Sequence, residues 1–73
     1  MMNSNHYSVV IQWDPRDNIY VASVPELPRV RTHGDTYQEA LQNIIEVIDM
    51  WVEDAQKTGE TLPPPRNYTG TAA

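Results

Sequence analysis

The stretch Gly34-Asp35-Thr36-Tyr37-Gln38-Glu39-Ala40-Leu41, with the long apolar run it opens, constrains the fold more than any other part of the chain. Thr36 and Glu39 stand in the S/T-x-x-E relation of a capping box. In that arrangement the Thr hydroxyl and the Glu carboxylate each accept one of the backbone N–H groups that a helix start leaves unpaired. A helix starting at Thr36 is expected. Tyr37, Ala40, Leu41, Ile44, Ile45, Ile48, Trp51, Val52 and Ala55 then recur at spacings of three and four, which lays a wide apolar stripe along it. Trp51 continues that spacing and is expected in the core. Gln38, Glu39, Gln42, Asn43, Glu46, Asp49, Glu53 and Asp54 fall on the other side. At about 1.5 Å per residue the run from Thr36 to Lys57 is roughly 33 Å long. Gly59 supplies the left-handed residue that stops it, with Lys57 complementing the negative helix end. So broad an apolar face needs a sheet to bury it.

The sheet is sought upstream. His6 to Trp13 is β-rich, with Tyr7, Val9, Ile11 and Trp13 on one side of a pleat and His6, Ser8, Val10 and Gln12 on the other. Asp14-Pro15-Arg16-Asp17-Asn18 has turn chemistry: Pro15 presets φ, Asp14 can bond forward to backbone, and Asn18 tolerates the left-handed conformation. Ile19 to Val24 returns as a second strand. Pro25-Glu26-Leu27-Pro28 forces a corner, because neither proline can donate a ladder hydrogen bond. Arg29 to His33 alternates polar and apolar as a short third strand at an edge, and Gly34-Asp35 leads into the helix. Glu60-Thr61-Leu62 is a candidate fourth strand before Pro63-Pro64-Pro65 imposes polyproline II. The expected fold is therefore α+β, a two-layer sandwich of an antiparallel three- to four-stranded sheet and one long helix in the order β-β-β-α-β. Residues 1–5 are expected as a flexible start, 6–65 as the domain and 66–73 as a flexible tail.

With 73 residues the chain forms one domain, with a marginal core. It has no cysteine, so neither disulfides nor thiolate metal sites can reinforce it. No run reaches the length of a membrane span and the start lacks the order of a signal peptide, so a cytoplasmic protein with no membrane contact is expected. The net charge is −5, and between Thr36 and Lys57 five acids face the single base Lys57. Such a surface repels phosphate backbones and suits a basic protein partner. Specific nucleic-acid binding by this chain alone is not expected. Catalysis is not expected either. Asp14 and Asp17 belong to a turn, Glu26 sits between prolines, Asp35 precedes the helix, and the strands carry no acid that could converge on metal ions. His6 and His33 lack a second ligand at metal spacing, and no phosphate loop or nucleophile motif is present, so no cofactor is expected.

One helix cannot cover all the large side chains of such a sheet. Tyr7, Trp13 and Tyr20, with Arg31 beside them, are the candidate partner or oligomer surface, since buried aromatics and Arg dominate interface energies. A homodimer through the uncovered sheet is expected.

Tyr7-x-Val9-x-Ile11, Tyr20-Val21-Ala22, Pro25-Glu26-Leu27-Pro28, Thr32-His33-Gly34-Asp35-Thr36, Glu39-Ala40 and Gly59-Glu60 before Pro63, in this order, resemble the HicB-like antitoxin family over about residues 6 to 65. The resemblance implies a β-β-β-α-β domain shaped like a truncated ribonuclease H fold without its catalysis. It also implies a partner, the HicA toxin, a small basic ribonuclease that cleaves messenger RNA. The alternative is a stand-alone homo-oligomeric accessory domain without a toxin. Two departures stand out: Arg29 and Val30 replace the usual Gly-Cys after the Pro-Glu-Leu-Pro corner, and the chain stops where many members continue into a DNA-binding domain. Autorepression by this chain alone is accordingly not expected.

Overall fold

The computed structural model describes residues 6–70. Three strands, β1 (Val10–Asp14), β2 (Ile19–Val24) and β3 (Leu27–Gly34), precede one helix, α1 (Tyr37–Thr58). The sheet is antiparallel in the order β1-β2-β3, so this is the α+β two-layer arrangement that the patterning predicts. Among the described residues it has three strands. Among the described residues Glu60–Leu62 forms no strand; Leu62 instead packs its side chain onto the core.

Local chemistry explains the turns. Asn18 adopts φ 55, and Asp14 Oδ1 accepts the Arg16 N–H at 3.0 Å, which closes the β1–β2 hairpin. At the second corner Val24 pairs with Leu27, leaving only Pro25 and Glu26 in the turn, but the next pairing is Ser23 with Arg31. The surplus residues bulge out of β3, which lets Pro28 sit in a strand without a missing ladder bond. β3 therefore begins two residues before the position read from the sequence.

The helix ends are built as expected. Thr36 is the N-cap and its hydroxyl accepts Glu39 N–H at 3.0 Å, while the Glu39 carboxylate reaches one residue further back than the usual box, to Asp35 N–H at 2.6 Å. Gly59 at φ 74 closes the other end, and the N–H of Glu60 bonds Ala55 O at 2.9 Å.

Trp13 lies opposite Tyr20, Ile11 opposite Ala22, and Ala22 opposite Thr32, which places these side chains on one face of the sheet. The helix packs on that face, over β3 and β2, and touches β1 little. Gly34 makes the close approach possible: a Cβ there would stand 2.5 Å from the Ala40 backbone nitrogen. The core is Ala22, Val24, Leu27 and Val30 from the sheet against Ala40, Ile44, Ile48 and Val52 from the helix. The buried stripe is narrower than its periodicity suggests. Tyr37, Leu41, Ile45 and Trp51, all assigned to it from spacing, are exposed, because a platform about two strands wide has room for only one row of large side chains.

Candidate interaction surfaces

The four residues singled out from the sequence occupy three places. Trp13 and Tyr20 are cross-strand partners on the helix-facing side, with ring centroids 5.0 Å apart in an edge-to-face contact, and Tyr37 stacks on Tyr20 at 4.3 Å. This row of three rings lies where the sheet runs out past the helix start, and Trp13 keeps 50% of its surface exposed. Tyr37 completes it, although its place in the helical periodicity assigns it to the buried stripe. Arg31 is on the opposite face, where Ser23 pairs with it and Val21 pairs with His33. Val10, Gln12, Arg31 and His33 are exposed there, so this side of the sheet is bare and holds bases without acids apart from Asp14 at its corner.

Tyr7 is elsewhere again. Its hydroxyl donates to Pro63 O at 2.5 Å, tying the segment before β1 to the proline-rich segment after α1. Burial, then the charge of nearby Glu26, push the pKa of this hydroxyl above its ordinary value. Beside it Glu26, 6% exposed, is the one buried acid among the described residues. Its carboxylate accepts the Ser8 N–H at 3.1 Å, the Ser8 hydroxyl at 3.0 Å and the Arg66 N–H at 2.8 Å. Burial alone would raise its pKa. The backbone N–H groups of Arg66, Glu26 itself and Ser8, with the Ser8 hydroxyl, outweigh burial and hold it below its usual value. In the sequence Glu26 stands only as a corner residue between prolines, and nothing local marks it, because its partners lie 18 and 40 residues away.

The outer side of α1 exposes Glu39, Glu46, Glu53 and Asp54 with Lys57. Asp49 is half-buried on the same helix, and its Oδ1 is shielded with no hydrogen-bond donor among the described residues. The acids do not converge: among the described residues no group of three or more His, Cys, Asp or Glu could hold a metal ion. Asp14 takes up its turn role, paired with Arg16 at 3.2 Å, and the hydrogen bonds from the Arg16 side chain hold its carboxyl below the usual range. No helix among the described residues is long and apolar enough to cross a membrane. What the surface offers is contact: an aromatic row, exposed Leu41 and Ile45, an acidic helix back and a bare basic sheet face.

Comparison with known proteins gives the same direction. The sequence profile of the HicB-like antitoxins of bacterial toxin–antitoxin systems matches residues 7–72. A UPF0150 protein of Thermoplasma acidophilum is 44% identical over 57 residues, covering 78% of this chain and 81% of that one. A UPF0150 protein of Synechocystis is 38% identical over 55 residues, 75% of this chain and 78% of its own, and one of Thermotoga maritima is 35% identical over 49 residues, 67% and 65% respectively. No solved structure matches.

Proposed function

The chain belongs to the HicB-like antitoxin family, and from that premise we propose that it binds and neutralises a HicA-type ribonuclease by protein–protein contact, without chemistry of its own. The observation that supports this most is the one-sided charge of α1, where Glu39, Glu46, Asp49, Glu53 and Asp54 are answered by Lys57 alone. A basic, RNA-cleaving partner presents the opposite sign. Complementary potentials speed encounter and disfavour wrong partners, and a chain of net charge −5 competes with the toxin's anionic substrate for the same basic surface. The site of action would be the cytoplasm, where messenger RNA is found.

The test is co-expression. The reading frame next to this one should encode a basic chain of roughly the size of a small domain. It should arrest growth when expressed alone and lose that effect when this chain is supplied. A neighbour that does not arrest growth, or an arrest this chain does not relieve, removes the proposal.

The outer edge of β1 favours a second reading, a homodimer without a toxin, since an unprotected edge strand can pair with its own copy. Sedimentation of the isolated chain at tens of micromolar decides it: a monomer at that concentration ends the dimer reading.

A further inference from the structure

The two edges of the sheet are unequal. β3 is interrupted by its bulge, includes Pro28 with Arg29 and Arg31, and lies under the helix. β1 holds neither proline nor base, and α1 barely reaches it. Alternate N–H and C=O groups of an edge strand point away from its neighbour, and among the described residues no other segment bonds to those of β1.

Beside this edge runs an apolar trough. Helix positions advance by about 100° per residue. Asn43 marks the β3 flank of α1, because its amide donates to His33 O at 2.8 Å, and Trp51 lies on the same flank beside Pro28 and Arg29. Ala40, Ile44 and Ile48 point into the sheet. Leu41 and Ile45 therefore lie on the opposite flank, overhanging β1, and they keep 42% and 39% of their surface exposed. Ile11 and Trp13 form the floor below them, on the helix-facing side of β1. One turn beyond Ile45 stands Asp49, whose shielded Oδ1 meets no hydrogen-bond donor among the described residues.

We infer that this trough is where the basic partner docks: an extended segment of the partner pairs with the outer edge of β1, rests apolar side chains on Leu41, Ile45 and Trp13, and brings a Lys or Arg to Asp49. The inference rests on the antitoxin reading and adds the place and manner of contact. Charge selects the occupant. A second copy paired antiparallel along β1, about a two-fold axis normal to the sheet, would set the acids of one helix, Glu46, Asp49 and Glu53, toward those of the other, whereas a basic chain meets the same acids with opposite sign. The geometry is that of strand addition, in which main-chain bonds give affinity and the flanking pocket gives specificity.

The experiment uses this chain together with the product of the adjoining reading frame. Hydrogen exchange should show residues 10–14 protected at least tenfold on mixing, with β3 unchanged. Ile45→Lys, an exposed position whose variant should keep its circular dichroism, should weaken the complex by roughly thirtyfold, a hot-spot effect, while Arg31→Ala on the bare face should change it less than about threefold. Asp49→Asn should weaken it and flatten its salt dependence. Protection confined to the bare face, or loss of binding on Arg31→Ala but not Ile45→Lys, would overturn the placement while leaving the antitoxin reading intact. Trough variants that split a homodimer but spare the complex would overturn it too. A wild-type chain that does not bind the product at all removes the underlying reading and the placement together.

Discussion

Glu26 shows what a single side chain can hold together. A buried charge is tolerated only when hydrogen bonds replace its water, and here the donors come from Ser8 and Arg66, at opposite ends of the domain. Because the folded carboxyl sits below its ordinary value, its contribution to stability is complete at neutral pH and is lost as pH falls below the ordinary glutamate range and through the lower folded value. Urea unfolding should therefore show a loss of stability at acid pH that Glu26→Gln lacks, and Glu26→Gln should cost about 2 kcal/mol at pH 7. Gly34 is the other constrained position. Since a methyl group there meets backbone and not a flexible side chain, Gly34→Ala should lower stability by about 2 kcal/mol in thermal or urea melts. Gly34 was legible only as a connector, and Glu26 hardly at all. Both roles depend on what the tertiary fold brings alongside, whereas the Thr36 cap, the Asn18 turn and the Gly59 stop are each written within a few consecutive residues.

At the level of the element, α1 separates what periodicity states from what it leaves open. Spacing identifies the helix and both its ends, and the Thr36–Glu39 box tells where it starts. It cannot tell how much of a wide apolar stripe the sheet will cover. With α1 set over β2 and β3, Ile44 is fully buried and Leu41 is not. Ile44→Ala should cost about 3 kcal/mol and Leu41→Ala less than about 1 kcal/mol by chemical denaturation. Equal losses would mean that the helix is rolled toward β1. Thr36→Ala should cost about 1 kcal/mol, the usual penalty for an emptied cap. The candidate surface is legible in part for the same reason: size and strand position single out Trp13 and Tyr20, and the structure shows only that their rings are in contact, while the periodicity assigns the helix flank beside them, Leu41 and Ile45, to the buried stripe.

As a whole, the molecule carries its acids on the back of the helix, with Arg31 on the bare face of the sheet across from them. Association with a basic partner should slow steeply as salt rises, most of the change appearing in the on-rate, and stopped-flow mixing across ionic strengths measures it. An on-rate indifferent to salt would assign the contact to apolar surface alone. The Glu26 carboxylate has a consequence for the path of the chain. One of its oxygens receives N–H groups from both Ser8 and Arg66, so the two ends of the folded segment cannot stand farther apart than those two bonds allow. The backbone is in effect a ring with a single cut. A circular permutant that bridges the old ends with a short glycine linker and opens at Arg16-Asp17, in the exposed tip of the β1–β2 hairpin, should keep the same sheet and helix.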